Sequence, residues 1–199
     1  MYKTLIAEIG RLIKGALPFA IVNGAGGFFS HVSLQGAINS GAYAIWVRSG
    51  TYSGAFTIPS TANVRLIIGC GEATILDGGT TGHALVQSKA GCVLAFFSAQ
   101  TTTIGGNPYD AFQFNARSYG IGLNVISSDR WAYQFTDAGD NSILAFSRSQ
   151  QSDQEGIYVN STGHYVVIVA NSIRGWASAW ISENSGTAIA PTTANVTTA

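Results

Sequence analysis

Seven carboxylates lie in the second half of the chain: Asp110, Asp129, Asp137, Asp140, Asp153, Glu155 and Glu183. Two of them, Asp110 and Glu155, are spaced to act as a pair. Cleavage of a glycosidic bond needs one carboxyl group to protonate the leaving oxygen and another to activate water or attack directly. Both residues hold the same place in a sequence repeat, two residues ahead of its first inward position. Trp131 holds that place in the intervening copy, with Arg130 beside it. Copies stacked as β-strands at about 4.8 Å put the carboxylates roughly 10 Å apart, the upper end of what an inverting pair uses. Asp137 and Asp140, in Asp137-Ala138-Gly139-Asp140-Asn141, read instead as turn residues. Nothing points to a metal or a cofactor. His31, His83 and His164 are scattered, with no close Cys or carboxylate cluster. Cys70 and Cys92 sit in apolar runs, where a free thiol behaves as a small buried hydrophobe.

The repeat that would position these groups is the strongest pattern in the chain. Phe112-Gln113-Phe114-Asn115, Tyr133-Gln134-Phe135-Thr136, Ile157-Tyr158-Val159-Asn160 and Ala179-Trp180-Ile181-Ser182 each place apolar residues first and third. A second register runs between them through Leu123-Asn124-Val125, Leu144-Ala145-Phe146 and Val167-Ile168-Val169. Ala84-Leu85-Val86-Gln87 and Leu94-Ala95-Phe96 read as earlier copies. Two short strands every 21–24 residues are what one coil of a parallel β-helix requires, alternate side chains stacking on their equivalents above and below. The expected fold is therefore all-β, a right-handed single-stranded parallel β-helix of six or seven coils spanning residues 31–186. Asn115, Asn160 and Asn171 suit its corners, by left-handed geometry or side-chain caps. Residues 187–199 read as a polar tail.

Residues 1–30 read as an N-terminal arm. Within it Leu5, Ile6, Ile9, Leu12, Ile13 and Leu17 form one apolar stripe at the helical period, which Pro18 ends. That stripe covers either the open end of its own domain or another protein. The ten basic and ten acidic side chains cancel, and they make up only 10% of the chain. No basic face for nucleic acid is visible. No run of about 18 apolar residues suggests a membrane span, and no signal-peptide core is present. Low charge also leaves little repulsion between copies.

Segment 32–79 contains Leu34-Gln35-Gly36-Ala37-Ile38-Asn39, Ile45-Trp46-Val47, Gly50-Thr51-Tyr52, Leu66-Ile67-Ile68-Gly69-Cys70-Gly71 and Thr74-Ile75-Leu76-Asp77. This succession resembles the opening coils of the pectin-lyase-like β-helix superfamily, which includes pectate lyases, pectin methylesterases and phage tailspikes. The resemblance implies a short helix leading into strands separated by tight glycine turns. It does not imply an activity, because the fold carries enzymes, adhesins and inert structural pieces. A neutral chain of about 200 residues with a docking helix is closest in kind to trimeric tailspikes and capsid decoration proteins. The function expected is that of a non-enzymatic bacteriophage virion protein, a homotrimer attached to a capsid or tail protein by its N-terminal arm. The alternatives are a small depolymerase using Asp110 and Glu155, and an adhesin binding cell-surface polysaccharide through Tyr133, Tyr158 and Trp180, which are read as an outward aromatic face.

Overall fold

A computed structural model describes residues 19–23, 30–31, 33–80, 82–101, 109–136, 141–160, 165–174, 181–183, 188–191 and 196–198. The apolar stripe of residues 5–17, Asp137, Asp140, His164 and Trp180 lie outside the described residues. The described chain is all-β, a parallel β-helix of about five turns with very little helix. Every strand pairing in it is parallel.

Each turn contributes strands to three faces. The first face holds β1 (Phe19–Val22), β3 (Ala44–Val47), the leading half of β6 (Leu66–Asp77) and the leading half of β8 (Cys92–Gln100). It continues through β10 (Ser118–Ile121), β13 (Ser142–Ala145), β16 (Tyr165–Val169) and β19 (Ala188–Pro191), with β2 (Ser30–His31) beside β1. The second face holds β4 (Gly50–Ser53), the trailing halves of β6 and β8, β11 (Asn124–Ser127), β14 (Arg148–Ser149), β17 (Ser172–Arg174) and β20 (Val196–Thr198). The third is a separate sheet of β5 (Phe56–Ile58), β7 (Leu85–Gln87), β9 (Phe112–Phe114), β12 (Tyr133–Phe135), β15 (Ile157–Val159) and β18 (Ile181–Glu183).

The third-face triplets alternate because only their outer two residues point inward. Phe56, Leu85, Phe112, Tyr133 and Ile157 form one buried column, and Ile58, Gln87, Phe114, Phe135 and Val159 the other. Aromatic rings stack along both: Phe112 and Tyr133 lie 5.6 Å apart at 5°, Phe114 and Phe135 4.7 Å apart at 22°. Tyr133 is therefore a core residue, fully buried, and not part of an outward face. The first position of the triplet faces the core. The phenol escapes an unsatisfied burial by donating toward the carbonyls of Leu123 and Arg148, and burial pushes its pKa well above the ordinary value.

Three other expectations are corrected by the register. Ile157 pairs with Ile181 rather than Ala179, so the fourth third-face copy begins two residues later. Leu123-Asn124-Val125 belongs to the second face, where Asn124 pairs with Arg148. The partner of Leu144 is Gly120, on the first face. Cys70 is exposed, because it rides on the irregular stretch between Ile68 and Ile75. Cys92 is buried, its thiol pushed up to about 12 by burial.

The corner between the first and second faces is left-handed. Phe96, Gly122, Phe146 and Ala170 occupy it on successive turns, with φ between 52° and 60°. Asn171 does not take that geometry. It caps the adjoining position, accepting from the Ser147 amide and donating to the Leu144 carbonyl. The helix α1 (Leu34–Asn39) is capped by Ser33, whose hydroxyl accepts from the Gly36 amide at 3.0 Å. It buries Leu34, Ala37 and Ile38 and is tied to β5 by Gln35, which exchanges two hydrogen bonds with the Thr57 backbone.

Replacing Phe114 by Ala should lower stability by about 3–5 kcal/mol, the usual cost of emptying an aromatic core site. Denaturant titration checks this; a loss below about 1 kcal/mol would mean that the column is not packed as described.

Candidate functional site

The third-face register brings Asp110, Trp131 and Glu155 into one column, because Phe112, Tyr133 and Ile157 pair across successive strands two residues later. Backbone bonds continue the ladder back to this column: the Ala111 amide donates to Trp131 and the Ala132 amide to Glu155. Asp110 and Glu155 thus stand two strand spacings apart, with Trp131 between them, roughly 10 Å.

Their surroundings differ: Asp110 is closed off from a substrate, while Glu155 is half-buried. Asp110 is fully buried, and Arg130 grips both its oxygens through Nε and Nη2, each at 2.9 Å. The Trp131 amide donates to it as well, at 3.3 Å. A bidentate guanidinium occupies both oxygens of the buried carboxylate and leaves neither aimed at solvent. The guanidinium also lies 3.7 Å over the Trp131 ring, and that ring stacks on Tyr158 with centroids 3.9 Å apart. The Trp131 indole N–H donates to Glu155. The column is a closed polar and aromatic chain that ties three turns together. Tyr158 does point outward, but one of its ring faces is already taken by Trp131.

His83 joins this cluster, a partner that its sequence neighbourhood did not suggest. Its Nδ1 accepts the Asp110 backbone N–H at 3.0 Å, and the Asp110 carboxylate lies 3.4 Å from the same nitrogen. A nitrogen that accepts a hydrogen bond carries no proton, so this approach is not an ion pair. Burial holds the His83 pKa below its ordinary value; Asp110 opposes that shift and Arg130 adds to it. Nearby, Asp129 and Asp153 flank the paired Ser128 and Ser152 on adjacent turns. Burial raises the Asp129 pKa, and Asp153 adds to the rise. Among the described residues no group of three or more His, Cys, Asp or Glu side chains could hold a metal ion. A cavity of about 300 Å³ lies beside β4, lined by Asn23, Ser33, Ser49, Thr51, Tyr52 and others, with no carboxylate, Lys, Arg or His among them.

The outer side of the first face is apolar, which sequence reading missed. Its outward residues form two columns. One runs Ala44, Leu66, Val93, Tyr119, Ile143 and Val167; the other runs Trp46, Ile68, Ala95, Ile121, Ala145 and Val169. None of the twelve is charged, and the only polar atoms among their side chains are the Tyr119 hydroxyl and the Trp46 indole nitrogen. Trp46 is 42% exposed, and the corner beside them adds Phe96 at 47% and Phe146 at 69%. These three aromatics expose on the order of 300 Å² of ring surface, taking roughly 200 Å² for a whole aromatic side chain. The half-buried aliphatics add roughly as much again, which brings the face to about 600 Å², the low end of what each partner contributes to a standard interface. Its sequence signal is the unbroken apolar runs at 44–47, 66–68, 92–97 and 143–146, the mark of strands covered on both sides. The outer side of the second face differs. There Asn124 accepts from Arg148 and Gln150 and donates to Ser98, and Arg148 pairs with Glu72.

Among the described residues no helix is long and apolar enough to cross a membrane. No protein-family model, curated protein or solved structure matches the chain. What stands without them is the fold: a parallel β-helix.

Asp110→Ala leaves the half-buried Arg130 guanidinium and the Trp131 amide without their acceptor, and should cost about 1–3 kcal/mol in denaturant titration. A cost near zero would mean that the cluster does not hold the turns together. His83, with a folded pKa below the unfolded value, favours the folded state fully above about pH 6.5. That contribution is lost as pH falls through the folded pKa. His83→Gln should therefore flatten the stability profile on the acid side of pH 6.5, and an unchanged slope there would rule out this linkage.

Proposed function

We propose that this chain is a non-enzymatic structural protein of a bacteriophage virion. In this reading it is a homotrimeric β-helix that decorates or stabilises the capsid or forms a short tailspike. The observation that carries the non-enzymatic part is the state of the carboxylates: Asp110 is buried and saturated by Arg130, and Glu155 accepts from the Trp131 indole. A general acid needs a proton to give, and a base needs a lone pair within reach of water. Asp110 meets neither condition, and Glu155, half-buried, is left without a carboxylate partner free to work with it. The fold supports the structural reading, since a stack of parallel strands with a filled core is a rigid rod. The virion context rests on the pectin-lyase-like motifs of segment 32–79, and attachment through residues 1–17 to a capsid or tail protein rests on their apolar stripe.

The adhesin alternative loses its platform, because Tyr133 is in the core and Trp131 is enclosed between Arg130 and Tyr158. Light scattering of the purified chain should give a mass near three times 20.8 kDa across a dilution series. A monomer at all concentrations would reject the proposal. So would cleavage of a polysaccharide that is lost in Asp110→Asn while the fold is retained.

A further inference from the structure

We infer that the apolar first face is the contact surface between copies of this chain, packed with helix axes parallel and turns level. The inference rests on the oligomeric reading above and names its surface and its geometry.

The conformation of the corner is the first reason. Phe96 and Phe146 adopt φ of 57° and 53°, a region that costs a bulky L-residue energy and that Gly122 occupies freely one turn away. Phe146 is 69% exposed, and Phe96, whose ring lies against Gly122, is still 47% exposed, so much of each ring is left uncovered by its own chain. Covering by a neighbour repays the strain. The second reason is periodicity. Ridges of side chains repeat up the first face at the strand spacing of about 4.8 Å. A second stack of parallel strands carries ridges at that same spacing and can interlock with them over the whole height. The net charge of zero and the absence of any charged residue from both columns remove the main obstacle to self-contact.

The two edges of the face decide the orientation. The trailing edge carries Phe96 and Phe146, with exposed Arg48 at one end and the Arg148–Glu72 pair beyond them, and the leading edge carries Arg65 and Arg117, each just ahead of its strand. A symmetry axis parallel to the helix axis keeps the turns level and brings the Phe edge of one copy to the Arg edge of the next. Guanidinium over ring is an attractive pairing. An axis perpendicular to the helix sets Arg edge against Arg edge, which is repulsive.

The test starts from the full chain with Cys70→Ser, since Cys92 is buried and unreactive. Leu66→Cys, Tyr119→Cys and Val167→Cys each place one thiol on the face, near its bottom, middle and top. A short bis-maleimide suits the roughly 10 Å between packed sheets. Covalent dimers are expected at all three heights. Ile121→Glu should weaken association at least 100-fold in light scattering while leaving the circular dichroism spectrum unchanged. Dimers at Tyr119→Cys alone would mean antiparallel packing and overturn the inference. An oligomer that gives no dimers and tolerates Ile121→Glu would overturn it while sparing the oligomeric reading, because another face would then make the contact. A monomeric chain would sink both. A chain that associates only after residues 1–17 are deleted has its own N-terminal segment on the face, and that also overturns the inference.

Discussion

Parallel pairing between successive turns is the constraint on which this protein depends. Each strand sits about 4.8 Å from its equivalent in the next turn, in fixed register. A side chain that points inward must therefore fit the one above and the one below. Like stacks on like for that reason: Phe112 on Tyr133, Phe114 on Phe135. The same rule governs polar positions. Ser118 reaches Gln87 inside the core, and Asn171 bonds Ser147 one turn away. No polar column is added for chemistry in these places; each satisfies groups that burial would otherwise leave unpaired.

The Asp110 column follows from this constraint. At the approach to the third face the chain must turn sharply, and backbone groups there lie beyond the regular ladder. Asp110 takes up the Trp131 amide, and His83 takes up that of Asp110. Arg130 then neutralises the buried carboxylate and spreads its flat guanidinium over Trp131. A pair of acids two turns apart looks like glycosidase chemistry when only spacing is visible. Once partners are counted, it is a brace across three turns.

The sequence made the third face legible because its triplets are short, aromatic and strictly alternating. Phe112, Tyr133 and Ile157 could be aligned without a structure, and the column of Asp110 and Glu155 followed from them. The register failed where corner lengths vary. Pairings on the first face recur after 22 to 27 residues, so a fixed period drifts by two at Ala179. Leu123-Asn124-Val125 resembles a first-face strand in pattern alone, although it lies on the second. Segment 32–79 was read more securely, since its short helix and glycine turns are defined by residue type rather than interval. Tyr133 was misplaced because an aromatic hydroxyl suggests a surface, whereas here two carbonyls at the corner receive it.

What pattern could not convey is which side of a continuous apolar run faces the core. In Ala44-Ile45-Trp46-Val47, Ile45 and Val47 are buried and Trp46 is exposed, yet all four are apolar. Alternation normally marks a sheet with one wet side, and its loss marks a sheet covered on both. The first face has lost it on turn after turn, while the second retains Asn124, Arg148 and Gln150 outside. Both faces belong to one sheet, joined where β6 and β8 cross the corner. Fold requirements alone would treat their exteriors alike. The difference lies in the side chains alone, and it falls beside the two residues held in costly left-handed geometry. The first face is thus apolar where solubility favours charge, and left-handed at Phe96 and Phe146 where glycine would carry no strain.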